Sequence, residues 1–300
     1  MPLLELSIEL GELAPDAAEA ACLATGALSI SFTDAGDDAV LEPRPGELRL
    51  WHRTRLHALY GCERAEAALI LALADAMGID PARVGARAVA DRIWEREWLR
   101  DFHAVRFGRR LWVCPRHESV ADPDAVVVRL DPGLAFGTGT HESTALCLEW
   151  LDRTPLSGRR VVDYGCGSGV LAIAALKLGA RRAYAFDIDP QALLATRENA
   201  ADNAVSDRLT LCERPQDISA DCDMLLANIL ADILISLAQQ LAMLVKPGGQ
   251  ALLGGILEAQ ESDVAIGLLK WFDISRFALR GGWVALAGTR RATASPNDLA

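Results

Sequence analysis

The feature that most constrains this chain is a glycine-rich turn between a predicted strand and a predicted helix. A β-branched run ends at Asp163, and glycines follow at every second position, at Gly165, Gly167 and Gly169. Glycine tolerates positive φ angles and lets the backbone approach a ligand closely. A helix that begins at residue 170 offers unpaired N–H groups at its N-terminus. The turn therefore predicts a binding site for a nucleotide-like ligand.

Apolar strands and helices alternate on both sides of this turn. Buried strands that alternate with helices are typical of a parallel sheet with helices on both faces. The chain therefore predicts an α/β fold with a doubly wound, seven-stranded, Rossmann-like sheet. After the turn, the expected strands are 182–186, 209–212, 223–228, 250–253, 272–279 and 283–287, and the expected helices are 190–203, 229–245 and 258–270.

The N-terminal part of the chain has a different pattern. Strict alternation in residues 4–10 indicates a strand with one buried face, and two helix candidates end at Gly26 and Gly78. With further strands expected at 28–32, 47–51 and 87–93, the order β-α-β-β-α-β predicts a smaller ferredoxin-like α+β domain. The expected domain limits are 1–93 for this domain, 94–127 for a linker with connecting strands, 128–290 for the large sheet and 291–300 for a flexible tail.

Two further segments precede the glycine turn. Trp94 and Trp98 share one face if their segment is helical, which favours a packing helix between domains over a ligand cage. Residues 130–144 form a polar, glycine-punctuated loop before a helix at 145–151, and such a loop suits the lining of a ligand site. Thr140 or Ser143 is expected to cap that helix. His141 is a possible base, although a lone loop histidine is more often structural.

Glycine spacing alone leaves the identity of the ligand open. The run that begins at Gly167 and ends at Ala172 fits the dinucleotide pattern G-x-G-x-x-A, and Asp187 lies 20 residues after Gly167. An NAD-dependent oxidoreductase therefore remains an alternative at this point.

Three polar residues favour a different ligand. Asp163 is placed to attract a cationic group, and it would face a pyrophosphate unfavourably. Asp187 ends a strand where a carboxylate can accept both hydroxyls of a ribose, with Asp189 the better cap for the next helix. Asn228 ends another strand at the edge where a reacting group is expected, unless it caps a helix that starts at Ile229. An ammonium, a ribose and no phosphate together predict S-adenosylmethionine.

The chain also resembles a known family. The run from Asp163 to Ala180, D-Y-G-C-G-S-G-V-L-A-I-A-A-L-K-L-G-A, is preceded by L-D-P-G-L-A-F-G-T-G-T-H at residues 130–141 and followed by A-N-I-L at 227–230. Together with W-E-R-E-W and R-F-G-R-R-L-W-V-C-P, these motifs resemble the bacterial methyltransferases of large-subunit ribosomal protein eleven.

This resemblance implies methylation of lysine side chains and the N-terminal amine of that ribosomal protein, with S-adenosylmethionine as the methyl donor. It implies that the N-terminal domain recognises the substrate. It also implies cofactor contacts at Thr144, Gly165, Asp187 and Asn228, and Asn228 is further expected to position the amine as the catalytic residue. The adenine contact stays unassigned between Glu213 and Asp217.

Charge and cysteine content limit the partners and the compartment. The net charge is −11, and residues 1–47 hold ten acidic residues against one basic residue. An acidic module repels nucleic acid and attracts a basic ribosomal protein, although a merely solubilising surface has the same composition. The seven cysteines contain no C-x-x-C, so no zinc site or other metal is expected. We expect a cytoplasmic protein without a signal peptide or a membrane helix.

Three alternatives remain beside this prediction. A small-molecule or other protein methyltransferase shares the core, but a small substrate does not need a domain of about 90 residues. The NAD-dependent oxidoreductase is the second alternative. A non-catalytic binding protein that retains the fold is the third.

Overall fold

The structure is a computed structural model, and it describes residues 3–36, 51, 53–61, 65–89, 103–130 and 141–292. The chain divides into two compact units, residues 1–97 and 98–300. The predicted domain limit at residue 93, the segment with Trp94 and Trp98, and most of the loop at 130–144 lie outside the described residues.

The N-terminal unit has the predicted order of elements. They are β1 Leu3–Glu9, α1 Pro15–Ala24, β2 Ser29–Asp34, β3 Thr54–Gly61, α2 Glu66–Met77 and β4 Gly85–Val89. The four strands form an antiparallel sheet in the order β2-β3-β1-β4. Leu4, Leu6 and Ile8 alternate along β1 and are buried in one cluster with Leu69 and Leu73 of α2. This is the arrangement of a ferredoxin-like domain.

The third strand differs from its predicted position. Residues 47–50 lie outside the described residues, and Trp51 belongs to no strand. The strand that pairs between β1 and β2 is β3, whose buried face is formed by Thr54, Leu56, Ala58 and Tyr60. Buried and partly exposed residues alternate along this strand, so the third strand lies a few residues later in the chain than the sequence predicted.

The second unit begins with a small three-stranded sheet, β5 Val105–Phe107, β6 Leu111–Cys114 and β7 Val126–Arg129. A turn at Gly108, where φ is +73°, separates β5 from β6. Asp152 stabilises this turn, because its carboxylate accepts the N–H groups of Arg109 and Leu111 at 2.5 and 3.2 Å.

The large sheet has seven strands in the order β10-β9-β8-β11-β12-β14-β13, and β10, β9, β8, β11 and β12 are parallel. β14 is antiparallel to both of its neighbours, β12 and β13. The strands are β8 Arg160–Tyr164, β9 Arg182–Phe186, β10 Leu209–Cys212, β11 Cys222–Asn228, β12 Val245–Leu257, β13 Phe272–Arg280 and β14 Trp283–Arg290. The predicted doubly wound, Rossmann-like fold is confirmed.

Helices cover both faces of this sheet. They are α3 Glu142–Arg153, α4 Val170–Lys177, α5 Pro190–Asp202, α6 Ala231–Ser236, α7 Ala238–Met243 and α8 Glu261–Leu268. Successive residues of β8 point to opposite faces, so Val161 is buried in the cluster that contains residues of α3, α4 and α5, and Val162 in the cluster that contains residues of α6, α7 and α8. Burial on both faces explains why apolar residues predominate in these strands.

Several predicted boundaries in this unit were wrong. The helix expected at 229–245 is two short helices, and the first begins at Ala231. The strand expected at 250–253 is longer, because β12 starts at Val245 and ends at Leu257. The helix expected at 258–270 starts with a 3₁₀ turn and is α-helical only from Glu261 to Leu268. Among the described residues, no helix is long and apolar enough to cross a membrane.

Candidate functional site

The predicted site residues lie at the carboxyl ends of neighbouring parallel strands. β8 leads into the glycine turn, Asp187 follows β9 and Asn228 is the last residue of β11. The strand order reverses at β8, which has β9 on one side and β11 on the other. A crevice forms at such a reversal, and ligands of doubly wound folds bind there.

The glycine turn adopts the backbone conformation that its composition predicts. The φ angles of Gly165, Gly167 and Gly169 are +79°, +53° and +77°. The carbonyl of Phe186 accepts the N–H groups of Gly165 and Cys166 at 2.8 and 3.0 Å, so the turn is tied to the end of β9. These angles are unfavourable for a residue with a side chain, so the turn depends on glycine.

Neighbouring side chains leave no room for a Cβ atom at two of these glycines. A Cβ on Gly165 would lie 2.3 Å from Cγ2 of Ile229, and a Cβ on Gly169 would lie 2.6 Å from Cγ2 of Thr196. The turn is therefore packed between the segment after β11 and helix α5.

Asp163 lies in β8 just before the turn and is buried, with 1% of its surface exposed. Its Oδ2 accepts the N–H of Ala172 in the first turn of α4 at 2.9 Å. Its Oδ1 is buried and accepts no hydrogen bond from the described residues. Burial raises the pKa of Asp163 to about 7; the Ala172 N–H acts against this increase, and the nearby Asp187 adds to it.

Two backbone N–H groups orient the carboxylate of Asp187. Gly167 donates to Oδ2 at 2.9 Å, and Asp189 donates to Oδ1 at 3.0 Å. Asp189 is the residue that caps α5, because its Oδ1 accepts the N–H of Gln191 at 2.9 Å. The predicted assignment of the cap to Asp189 is confirmed, and Asp187 is not the cap of α5.

Thr144 and Asn228 meet in the structure, although 84 residues separate them in sequence. Nδ2 of Asn228 donates to Oγ1 of Thr144 at 3.1 Å, and Thr144 is 4% exposed. Oδ1 of Asn228 is buried and has no hydrogen-bond donor among the described residues. The N-terminal cap of α6 is Leu230, so the alternative role of Asn228 as a helix cap is wrong.

His141 caps α3, and this cap differs from the prediction. Nδ1 of His141 lies 3.3 Å from the backbone nitrogen of Ser143, which donates to it, and 2.8 Å from the Ser143 hydroxyl. The imidazole contacts the ring of Trp283 edge-on, with 4.7 Å between the ring centroids. Ser143 therefore donates to the cap and does not form it, and Thr140 lies outside the described residues.

Two residues of α5 contact the turn, and the sequence did not predict them as site residues. Oγ1 of Thr196 donates to the carbonyl of Gly167, and Nδ2 of Asn199 donates to the carbonyl of Ser168, both at 2.9 Å. Their spacing of three residues places them on one helical face, but sequence alone could not indicate what that face contacts.

The unpartnered atoms indicate what kind of ligand fits here. Both Oδ1 of Asp163 and Oδ1 of Asn228 are hydrogen-bond acceptors, and a buried acceptor without a donor is costly. A ligand with N–H donors and positive charge would satisfy them. Within the described ranges, no group of three or more His, Cys, Asp or Glu side chains is arranged to hold a metal ion.

Comparison with known proteins agrees with this geometry. The family model of the ribosomal protein L11 methyltransferase (PrmA) matches residues 2–291. A ribosomal protein L11 methyltransferase of Pseudomonas aeruginosa (strain LESB58) is 47% identical over 293 residues, 97% of this chain and 100% of that protein. One of Methylococcus capsulatus (strain ATCC 33009 / NCIMB 11132 / Bath) is 50% identical over 282 residues, 93% of this chain and 96% of that protein.

A solved structure is similar as well. The crystal structure of a ribosomal protein L11 methylase from Lactobacillus delbrueckii subsp. bulgaricus has a TM-score of 0.59 and 34% identity, and it covers 64% of this chain and 100% of its own. The residues that the family model matches, 2–291, lie in both units of the chain and include the whole candidate site. This chain therefore belongs to the ribosomal protein L11 methyltransferase family.

Proposed function

We propose that this chain transfers methyl groups from S-adenosylmethionine to lysine side chains and the N-terminal amine of ribosomal protein L11. One observation carries the proposal. At the reversal of strand order, the positive-φ glycine turn lies beside two buried side-chain oxygens that accept no hydrogen bond from the described residues, in a chain whose family is that of the L11 methyltransferases.

The cofactor site is assigned to five residues: the three glycines of the turn and the two aspartates next to it. Gly165, Gly167 and Gly169 give the backbone surface on which the cofactor lies. Asp187, held by two N–H groups, retains lone pairs for the ribose hydroxyls. Oδ1 of Asp163 accepts from the ammonium group of the cofactor, which supplies the donor and the positive charge that this atom lacks.

The reaction requires a neutral amine in line with the methyl group. S-adenosylmethionine supplies that methyl on a sulfonium centre, which is already activated, so the protein's task is alignment and exclusion of water. Lysine, with a pKa near 10.4, is mostly protonated at pH 7, whereas an α-amine titrates near 7.8. Oδ1 of Asn228 accepts an N–H of the substrate amine and so directs its lone pair, while Thr144 holds the amide.

The alternatives have less support. A dinucleotide would bring a pyrophosphate toward the turn, close to the buried carboxyl group of Asp163, and no cation among the described residues pairs with that group. The N-terminal unit, with its own sheet and core, is the part we assign to recognition of the protein substrate. The buried, unpaired thiols of the six described cysteines accord with the proposed cytoplasmic location.

The acidic N-terminal unit is proposed to attract the basic substrate. Glu5 and Glu9 are already paired with Arg87 and Arg53 across the open face of the sheet. We assign the attraction of the substrate to Asp34, Asp37, Asp38 and Glu42, because these four acidic residues lie close together in residues 34–42; the last three lie outside the described residues. We infer that free L11, not RNA-bound L11, is the preferred substrate, because assembled RNA would repel this segment.

Neutralising this segment is expected to weaken substrate binding. Replacing Asp34, Asp37, Asp38 and Glu42 by Asn and Gln should lower the association rate of L11 by about tenfold at low salt, and less at high salt, because screening removes long-range attraction. Stopped-flow measurements at two ionic strengths test this expectation. Substituting Glu12, Asp16 and Glu19 with Gln and Asn gives a control of similar charge change elsewhere, and equal effects in both variants would contradict a specific steering segment.

The cofactor role of Asp187 makes a second prediction. Asp187→Ala should raise the dissociation constant of S-adenosylhomocysteine by about tenfold or more, because it removes a charge-assisted hydrogen bond of roughly 1.5–3 kcal/mol. Isothermal titration calorimetry measures this constant. Asp189→Ala, which removes the cap of α5, is the matched control: it should lower the melting temperature with a smaller effect on affinity.

One experiment tests the proposed activity as a whole. The protein is incubated with S-adenosylmethionine that carries a labelled methyl group and with purified L11, and mass spectrometry locates the label. Label on L11 amines supports the proposal. L11 that carries no label after the incubation would overturn it.

A further inference from the structure

Three polar side chains line one buried side of α5 and its C-terminal end. Thr196, Asn199 and Asn203 are 0%, 8% and 4% exposed. We call these three residues the polar stripe of α5. Burying a polar side chain is unfavourable unless it is hydrogen-bonded, so the partners of the stripe indicate why it is there.

The stripe binds backbone groups of two neighbouring segments. Thr196 and Asn199 donate to the carbonyls of two consecutive residues of the glycine turn, Gly167 and Ser168. Asn203 pairs with the backbone of Arg129 in both directions, as donor to its carbonyl and acceptor of its N–H, each at 2.7 Å. The first two residues of the stripe therefore hold the turn from behind.

Anchoring a carbonyl also orients the next N–H group. A peptide unit is planar, so its C=O and N–H point in opposite directions. With the carbonyls of Gly167 and Ser168 directed at α5, the N–H groups of Ser168 and Gly169 are directed away from that helix. Glycine residues rotate with little steric resistance, so a turn of this composition needs external anchors to keep one conformation.

The same anchors reach the residue proposed to bind the ribose. Gly167 accepts from Thr196 through its carbonyl, and it donates through its N–H to Oδ2 of Asp187. Rotation of the turn at Gly167 would therefore release one of the two hydrogen bonds that orient Asp187. Thr196 and Asp187 are connected through a single residue of the turn.

We propose that Thr196 and Asn199 are positioning residues of the cofactor site: they hold the glycine turn in its ligand-binding conformation and, through Gly167, set the orientation of Asp187. This inference rests on the proposed function, because it takes the turn to be where the cofactor lies. Neither residue is expected to touch the reacting atoms, so their effect is on cofactor binding and not on the chemical step.

The test compares variants with and without the anchoring donor. Thr196→Val keeps the side-chain shape and removes the hydroxyl, whereas Thr196→Ser keeps the hydroxyl. We expect Thr196→Val to raise the dissociation constant of S-adenosylhomocysteine and the KM for S-adenosylmethionine by roughly five- to tenfold, the size of one lost hydrogen bond. We expect kcat at saturating cofactor to stay within about twofold, and Thr196→Ser to bind within about twofold of the unsubstituted protein.

Arg208 offers a matched control at the other end of α4. Its Nη1 donates to the carbonyls of Leu176 and Ala180 at 3.1 and 3.0 Å, so Arg208→Met also removes hydrogen bonds to backbone carbonyls. This variant should lower the melting temperature and leave cofactor affinity unchanged. Asn199→Ala gives an independent measurement of the anchor if Thr196→Val does not fold.

The outcomes separate this inference from the proposed function. If the unsubstituted protein does not bind S-adenosylhomocysteine, the proposed function fails. If it binds and Thr196→Val and Asn199→Ala bind equally well, or if Arg208→Met weakens binding as much as they do, the positioning role is overturned. Weaker binding in both anchor variants, with normal binding in Thr196→Ser and Arg208→Met, supports it.

Discussion

Asn228→Ala is expected to lower kcat by about 10²-fold while S-adenosylhomocysteine still binds within about tenfold of its original affinity. Removal of one preorganised hydrogen-bonding group at a reacting centre typically costs that much in rate, and Oδ1 of Asn228 is the buried acceptor assigned to the substrate amine. The measurement is steady-state methylation of L11 at saturating cofactor, beside calorimetry with S-adenosylhomocysteine. Normal turnover in this variant would refute the positioning role of Asn228.

Thr144 supplies the control for this prediction. Thr144→Val removes the acceptor that holds Nδ2 of Asn228, and Thr144→Ser retains it. If the orientation of the amide is what matters, Thr144→Val should lower kcat by about tenfold and Thr144→Ser by much less. Equal activity in the two variants would show that the amide is held by other contacts.

Cofactor affinity is expected to increase with pH up to about 7, because of Asp163. Its carboxyl group has a folded-state pKa raised to about 7 by burial. A carboxylate that receives an ammonium group has a lowered pKa, so binding favours the ionised form and releases a proton. The association constant should therefore rise by up to about tenfold per pH unit between pH 5.5 and 7, and level off above. Calorimetry in buffers of different ionisation enthalpy measures the proton release directly.

Asp163→Asn isolates this group from the histidines that titrate in the same range. Asparagine has nearly the same shape and can still accept the N–H of Ala172, but it cannot ionise. We expect this variant to bind the cofactor at least about tenfold more weakly at pH 8, because a charge-assisted hydrogen bond is lost. The association constant should also no longer increase with pH.

As pH rises, the contribution of Asp163 to the free energy of unfolding should fall, whereas its contribution to cofactor affinity should increase. A carboxyl group whose folded-state pKa is raised destabilises the folded protein increasingly as pH rises from the unfolded pKa, near 3.9, through the folded pKa. At pH 8 the melting temperature of ligand-free Asp163→Asn should therefore equal or exceed that of the unsubstituted protein. A variant that melts much lower, or that binds the cofactor as tightly as before, would contradict the assignment of Asp163.

The local sequence was sufficient to predict the conformation of the glycine turn. The positive φ angles at residues 165, 167 and 169 are a property of the glycines themselves, and apolar residues predominate in the strand before the turn and in the helix after it. The ends of β9 and β11 were also predicted correctly, so the sequence was enough to place Asp187 and Asn228 at one edge of the sheet. Parallel connectivity makes this inference possible, since it brings all strand ends to the same side.

Boundaries that depend on packing were predicted less well. β3 is a strand because Leu56, Ala58 and Tyr60 fit against the helices of its unit, and its arginine and histidine residues lie on the opposite face. The cap of α3 is His141 because its imidazole also has Trp283 to pack against. Turn and cap preferences are local averages, and these tertiary contacts outweighed them.

The sequence by itself was enough to predict a two-part α/β protein with a glycine turn between a strand and a helix, because residue types and their spacing specify φ angles, periodicity and strand ends. The packing of the tertiary structure determines which residues surround and orient that site. It buried Asp163 and so raised its pKa, it brought Thr144 to Asn228, and it placed Thr196 and Asn199 behind the turn. Burial and contacts between distant residues arise from packing of the whole sheet, which no local pattern encodes.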